Sequence, residues 1–370
     1  MTATDDIQAG KAHFVEWRFD AAEAVLARAL AADPHAFEAK AYLARTWHAL
    51  GRTDDAIALF RDALEIEPGN AAVHLLLAQS LLTAGQYAEG WVEYKWRYKG
   101  EGGAPFPHIQ APLWDGSPLP NGTLLVFGEQ GYGDVLQFVR LLPLARERCA
   151  RLSFGCSPPL ARLLDGIAGA DHHFQDWHRV GSFAAYIPVS SLPGALGVTP
   201  ENLPADVPYV QADPRGVRRW QRRLGAAAGP WIGICWAGRP THPNDRFRSI
   251  PFDTLVDALP KGARLVSLQK GERAADAKGS RVLDLSDRLH DFADTAAVID
   301  CLDMVVTVDT SVAHLAGAMG KPVHVLVPYL PDWRWGREGD RTPWYPTARL
   351  HRQPAPRDWK GAVSGLSALC

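Results

Sequence analysis

Met304-Val-Val-Thr-Val-Asp309-Thr310-Ser311-Val-Ala-His314-Leu-Ala-Gly-Ala-Met319 decides the fold. Its opening residues form an apolar, largely β-branched run of strand length, and the residues after Ser311 recur at helical spacing, so the stretch reads as strand, turn and helix. A helix that starts at Asp-Thr-Ser turns backbone N–H groups and the positive end of its dipole outward, an arrangement that attracts anions. A second stretch, Thr123-Leu-Leu-Val-Phe-Gly128-Glu-Gln-Gly131-Tyr-Gly133-Asp134-Val-Leu-Gln137, has the same form and sets a carboxylate beside flexible glycines. Two such crests predict a cleft between two sheets.

Outward from these crests, strands at 123–128, 151–155 and 185–189 alternate with helical stretches at 134–148 and 158–166. That alternation predicts a parallel sheet and a first βα domain over 121–212. A helix at 215–228 leads to a second domain over 213–353. Its strands fall at 231–236, 264–268, 304–308 and 323–327, its helices near 252–258, 291–300 and 312–319, and a tail follows at 354–370. Residues 100–120 are dense in glycine and proline and read as a linker.

The first hundred residues repeat. Pro34 and Pro68 are 34 positions apart, as are Ala22 and Ala56, Leu26 and Phe60, Ala29 and Ala63, Leu30 and Leu64, and Gly51 and Gly85. Small residues recur where helices approach closely, and proline closes each second helix. The pattern resembles the tetratricopeptide repeat over 7–99. Trp17 stands where the first repeat should have a turn glycine, Gly90 replaces the small alanine of the third, and Trp91, Tyr94, Trp96 and Tyr98 crowd the last helix. These rings are expected to bury against the next domain. A stack of this kind holds a peptide or partner helix and carries no chemistry of its own.

Composition narrows the function. With 370 residues, 47% hydrophobic and 22% charged, the chain can bury two or three cores. Its formal net charge of −2 supplies no excess positive field for a nucleic acid. Arg215, Arg218, Arg219, Arg222 and Arg223 cluster at helical spacing and read as a solvated helix face. Cys149, Cys156, Cys235, Cys301 and Cys370 form no CxxC pair, which favours reduced thiols in a cytoplasmic protein. Neither a signal peptide nor a bilayer-spanning run is recognised. Asp171-His172-His173-Phe-Gln-Asp176-Trp-His178 resembles a metal cluster only in composition and reads as a polar surface stretch. No Asp-x-Asp follows a strand, so no metal is expected. Gly128-x-x-Gly131-x-Gly133 fits neither the dinucleotide fingerprint nor the P-loop.

The pair Gly133-Asp134-Val-Leu and Asp309-Thr310-Ser311-Val-Ala-His314-Leu-Ala-Gly-Ala resembles family 9 glycosyltransferases, the heptosyltransferase-like group, over about 121–353. The resemblance implies an α plus α/β protein: a tetratricopeptide solenoid, then two facing Rossmann-like domains of the GT-B fold. Ser311 stands where the family usually has glycine, and Gln137 where histidine is common, at the acceptor-side loop with Gly131 and Gly133.

Sugar transfer with inversion needs a base for the acceptor hydroxyl and fixed positive potential for the departing nucleoside diphosphate. The resemblance implies Asp134 as that base, whereas spacing alone favours a helix cap. For the diphosphate, Asp309, Thr310 and Ser311 offer backbone N–H groups and hydroxyls, with His314 one turn along; taken alone, His314 reads as an ordinary core or surface histidine. In the family a basic residue of the loop 236–251 contacts the donor phosphates. Arg248 is the first match and Arg239 the second, against the alternative of solvated arginines. Lys270 and Glu272 fall in a family loop near the nucleoside. Residues 328–346, including Arg334, mix Trp, Arg and Gly as a cleft-edge loop that would close over the sugar.

The expectation is a cytoplasmic, metal-independent, inverting glycosyltransferase. It needs no cofactor beyond a nucleotide-sugar donor of unspecified base, acts on a glycan or protein acceptor, and recruits that acceptor or a protein partner through its repeats, in an arrangement similar to O-GlcNAc transferases. Two other readings stand beside it: a scaffold with this fold and no catalysis, and a GT-B sugar-nucleotide epimerase.

Overall fold

Six helices pair off before any strand appears: α1 (Ala3–Val15), α2 (Phe19–Ala32), α3 (Phe37–Ala49), α4 (Thr53–Ile66), α5 (Ala71–Thr83) and α6 (Tyr87–Tyr94). The structure is a computed structural model, which describes residues 2–100, 106, 108–204, 206–225, 229–242 and 244–369. Ala22 and Ala56, at equivalent crossings of the first two repeats, are fully buried. At the third crossing a Cβ on Gly90 would lie 2.8 Å from Leu82 Cδ2 and 3.3 Å from the Leu82 backbone nitrogen, so even alanine is tight there. The turn that joins each helix pair is left-handed, with φ of 59° at Trp17, 87° at Gly51 and 78° at Gly85. Trp17 therefore holds a backbone conformation suited to glycine, and does so while its ring is buried beside Phe19.

The chain divides into two bodies. The repeat domain comprises Met1–Pro107 and, from far along the chain, Leu330–Glu338; the two-sheet domain comprises His108–Tyr329 and Gly339–Cys370. Of the expected linker 100–120, residues 101–105 and 107 lie outside the described residues, and its last two residues already belong to the first strand.

The first sheet has the order β3-β2-β1-β4, all parallel, built from β1 (Leu119–Phe127), β2 (Cys149–Gly155), β3 (His172–Phe174) and β4 (Ala185–Pro188). The second has the order β10-β9-β8-β5-β6-β7, also parallel, from β5 (Trp231–Cys235), β6 (Arg264–Ser267), β7 (Val282–Asp284), β8 (Met304–Val308), β9 (Val323–Val327) and β10 (Ala348–Arg352). This is doubly wound topology. The order reverses between β1 and β4 in one sheet and between β5 and β8 in the other, and crevices for ligands open beyond the carboxyl ends of strands at such points. The helices are α7 (Tyr132–Phe138), α8 (Leu142–Arg146), α9 (Pro158–Leu164), α10 (Leu192–Leu196), α11 (Pro214–Leu224), α12 (Asp245–Arg248), α13 (Phe252–Ala258), α14 (Phe292–Asp300), α15 (Ser311–Ala318) and α16 (Trp359–Val363).

Several expectations change. The single helix over 134–148 is two helices with a tighter turn at Val139–Leu141 between them, because Pro143 has no N–H to continue the first and sits well in the opening turn of the next. The stretch read as a tail, 354–370, carries α16, whose Trp359 and Val363 join Leu366, Ile232, Leu265 and Val306 in the core of the second sheet. The polar stretch around His172 and His173 supplies the edge strand β3, where His173 stacks on Phe154. Residues 226–228 of the helix read at 215–228 lie outside the described residues, and Gly225, at φ 69°, already ends α11.

Replacing Gly85 by Ala meets no atom within 4 Å, so only the left-handed backbone opposes it, at a cost of about 1 kcal/mol. Trp17→Gly relieves the same strain but forfeits a buried indole worth roughly 3 kcal/mol, so it destabilises more. Urea unfolding followed by helical ellipticity should rank the two variants in that order.

Burial pushes four histidines below their usual value: His48, beside Arg337, and His324, beside His351, both to about 4, with His173 and His351 also lowered. An unfolded chain takes up these protons below about pH 6.5 while the native state refuses them, so stability rises with pH across that window. Unfolding midpoints should fall steadily from pH 7 to pH 4 and stay nearly flat from 7 to 9.

Candidate functional site

The carboxyl ends of β5 and β8 meet at the reversal point of the second sheet. Thr310 caps α15 from an extended conformation, its Oγ1 accepting the Val312 N–H at 3.3 Å and lying 3.2 Å from Thr307 Oγ1. Asp309, Thr310 and Ser311 are half-buried at the positive end of this helix. Across from them, Cys235 Sγ stands 3.8 Å from Thr310 Oγ1 and donates to Gln269 Oε1 at 3.3 Å. Burial raises the Cys235 thiol, and its contacts with the Thr310 and Thr307 hydroxyls act in the opposite sense.

Gln269 is the hidden fastener of this corner. Its Oε1 accepts the N–H groups of Trp236 and Ala237 at 3.1 and 2.9 Å, and its Nε2 donates to the Ala237 carbonyl at 3.0 Å, so β6 holds the loop leaving β5. That loop then passes Gly238, whose N–H donates to Ser249 Oγ at 3.1 Å. A Cβ on Gly238 would fall 2.5 Å from Arg248 Nη2, so the guanidinium lies directly over the glycine. Arg248 Nε is 3.7 Å from Asp245 Oδ1 and has no hydrogen-bond acceptor among the described residues.

In the first sheet β1 ends at Phe127, and the turn 128–133 opens α7. Gly131 is the helix cap, and Asp134 Oδ2 accepts its N–H at 3.0 Å. The capping role of Asp134 is thus present, and it fixes the carboxylate at the crest. Glu129, buried in the same turn at 8% exposure, is an acidic group that the sequence reading passed over. Gln137 is fully buried one turn along, and the Leu136 carbonyl accepts from Tyr209 Oη at 3.0 Å; burial pushes the Tyr209 phenol up to about 12.

The two crests meet through a missing side chain. A Cβ on Gly133 would lie 2.6 Å from His314 Cδ2 and 3.2 Å from its Nε2, so the first turns of α7 and α15 pack in direct contact. The other edge of that imidazole is held by Tyr345 Oη, 2.8 Å from Nδ1. Further ties join the two sheets. Arg162 donates to Asp291 at 2.8 and 2.6 Å and to the buried Asp294 at 2.7 Å. Tyr132 meets Phe292 edge-on at 5.2 Å, and Arg140 donates to the Trp344 carbonyl at 2.7 Å and to the Pro204 carbonyl. Burial alone would raise the Asp291 carboxyl; Arg162 and backbone N–H groups outweigh it and hold the carboxyl below the usual range.

Of the residues singled out from sequence, Asp134, Gly131, Gly133, Gln137, Asp309, Thr310, Ser311, His314 and Arg248 gather at these two crests. Arg239 is exposed. Lys270 is also exposed, with Nζ donating to the Ser286 carbonyl, and Glu272 opens an exposed turn. Arg334 lies in the repeat domain, 7% exposed, its guanidinium over the Trp333 ring, and is not among the residues gathered at the two crests. Among the described residues no three His, Cys, Asp or Glu side chains gather as a metal site, and no helix is long and apolar enough to cross a membrane.

A helical-repeat solenoid ahead of two parallel sheets whose crests meet defines the class: repeats joined to a GT-B unit. Residues 16–60 and 48–90 match the tetratricopeptide repeat, and residues 270–329 match glycosyltransferase family 9 (heptosyltransferase). The chain thus carries tetratricopeptide repeats followed by a glycosyltransferase family 9 domain. Protein FlbA of Caulobacter vibrioides is 27% identical over 336 residues, covering 81% of this chain and 55% of FlbA, so the chain spans about half the length of that curated relative. Among solved structures, a family 9 glycosyl transferase from Veillonella parvula is 10% identical, with a TM-score of 0.46 over 64% of this chain and 88% of its own. ADP-heptose lps heptosyltransferase II of E. coli is 14% identical, with a TM-score of 0.42 over 62% of this chain and 89% of its own.

Gly133→Ala should force α7 off His314, at a cost of about 1–3 kcal/mol. Gln269→Ala orphans the buried Trp236 and Ala237 N–H groups and should cost about 2–4 kcal/mol. Denaturant unfolding of the full chain reads both, and an unchanged midpoint for Gly133→Ala would contradict the close packing of the crests.

Proposed function

We propose that the two-sheet domain is an inverting, metal-independent glycosyltransferase that moves a sugar from a nucleotide sugar to a glycan or protein acceptor, and that the repeats recruit the acceptor or a partner. The observation that carries this reading is the direct packing of the Gly133 turn on His314, which brings a crest bearing a fixed carboxylate against a helix start, with Arg248 over Gly238 in the loop that leaves β5. In this reading the amide dipoles of α15, the Thr310 and Ser311 hydroxyls and Arg248 neutralise the diphosphate, while Asp134 takes the acceptor proton. Arg248 fits its part because its buried Nε has no hydrogen-bond acceptor among the described residues. The donor side needs no metal because the positive charge is built into the protein. We infer a cytoplasmic setting, where nucleotide sugars are supplied.

Thermal-shift screening against UDP-, GDP-, ADP- and CMP-sugars identifies the donor, since a ligand at about a hundred times its Kd stabilises by roughly 2.7 kcal/mol. With that donor, Asp134→Asn should reduce transfer by about 10²- to 10⁴-fold while leaving donor binding intact. Arg248→Ala should weaken donor binding by roughly 1.5–3 kcal/mol. If no sugar nucleotide shifts the melting point, the chain is a scaffold. Conversion of the donor to an isomer with no acceptor present would make it an epimerase.

A further inference from the structure

The repeat domain already holds a peptide, and that peptide comes from the chain's own distant part. Leu330–Glu338 lies between β9 and β10 in sequence, yet it folds with the repeats. Trp333 meets Trp91 of α6 edge-on with ring centroids 5.3 Å apart, and α5 packs on the turn Trp333–Trp335. Four residues beyond Trp333, Arg337 Nη2 donates at 2.8 Å to the carbonyl of Ala49, the last residue of α3. Carbonyls at a helix end form the negative pole of its dipole, so this is a seat for a cation. Gly51 lines the seat: a Cβ there would stand 3.4 Å from Arg337 Nη2. The segment is folded to fit, because Asp332 Oδ1 accepts both the Arg334 N–H and Arg334 Nη1 at 3.0 Å, and Arg334 in turn covers the Trp333 ring at 4.4 Å. The sequence reading expected the crowded aromatics of α6 to bury against the next domain; Trp91 instead takes this short segment.

We propose that this surface is a peptide-reading site of the repeats, occupied in cis by Leu330–Glu338. A protein partner engages it by presenting an aromatic residue followed four positions later by a basic one, and by displacing the internal segment. The aromatic slot beside Trp91 and the carbonyl seat at the end of α3 set the two requirements and their spacing. Because the internal copy is tethered, it competes at an effective concentration in the millimolar range, and weak or mismatched partners are excluded. The proposal is independent of the donor-site reading.

The test uses the full chain and a fluorescently labelled synthetic peptide with the sequence of Tyr329–Gly339. Titration by anisotropy should show the peptide binding the W333A/R337A chain about ten-fold or more tightly than the unaltered chain, since the variant has lost its internal competitor. A peptide with alanine in place of both Trp333 and Arg337 should bind neither. Far-UV circular dichroism establishes that the variant is folded, and R337A alone, which removes a single hydrogen-bonding side chain, serves where the double variant is not. Equal binding to both chains, binding that ignores the Trp and Arg of the peptide, or no binding to either folded chain would overturn the proposal.

Discussion

A side chain is absent at residue 133, and the arrangement of the two-sheet domain depends on that absence. With no Cβ, the first turn of α7 closes onto the His314 imidazole, and the loop after β1 and the loop after β8 become one corner. Tyr345 holds the same ring from behind, and its own aromatic plane lies over Gly317, where a Cβ would come within 2.5 Å of it. Glycine, histidine, tyrosine and glycine therefore form a stack from one crest through the helix to the far side, with no slack for a larger residue at either end. Arg162, bridging Asp291 and Asp294, ties the two sheets at a second place, so that the crests are registered against each other at separate points.

Topology explains why chemistry collects there. In both sheets the strand order reverses next to the first strand, and loops after β1, β5 and β8 diverge to opposite faces, leaving backbone groups that the sheet does not cover. The chain closes most of these openings with side chains of its own. Gln269 ties the β5 loop, Thr310 ties the start of α15, and Asp134 ties Gly131. What is left is electrostatic: a helix dipole and a guanidinium on one side, and on the other a carboxylate fixed by the turn it caps.

The strands bearing the crests were legible because they are buried on both faces, and Met304–Val308 and Leu124–Phe127 are apolar runs broken only by Thr307. Of the four edge strands only the apolar β4, Ala185–Pro188, was legible, and the other three were not. His172–Phe174, Val282–Asp284 and Ala348–Arg352 meet neighbours on one side only and keep polar residues on the other, which erases the apolar signal. Among site residues, the glycines and the Asp-Thr-Ser turn announce themselves locally. Gln269 does not, because an amide that fastens two loops looks in sequence like any polar residue at a strand end. Arg334 shows the opposite: tryptophan and arginine in an irregular stretch suggest a ligand loop, and nothing local records that Trp333 of the same stretch meets Trp91, more than two hundred residues away.

That long-range contact also completes the repeat domain. Three short repeats bury little, and their turns show the strain: Trp17 occupies a glycine's conformation in order to keep its ring inside. Such a stack needs a cap on its last helix. The chain supplies one by looping Leu330–Glu338 out between two strands of the other domain, and the residues it spends there, an indole on an indole and a guanidinium on a helix end, are of the kind that recognise a separate peptide. Capping and recognition are thereby the same contact, and the stability of the solenoid is linked to whatever occupies that surface.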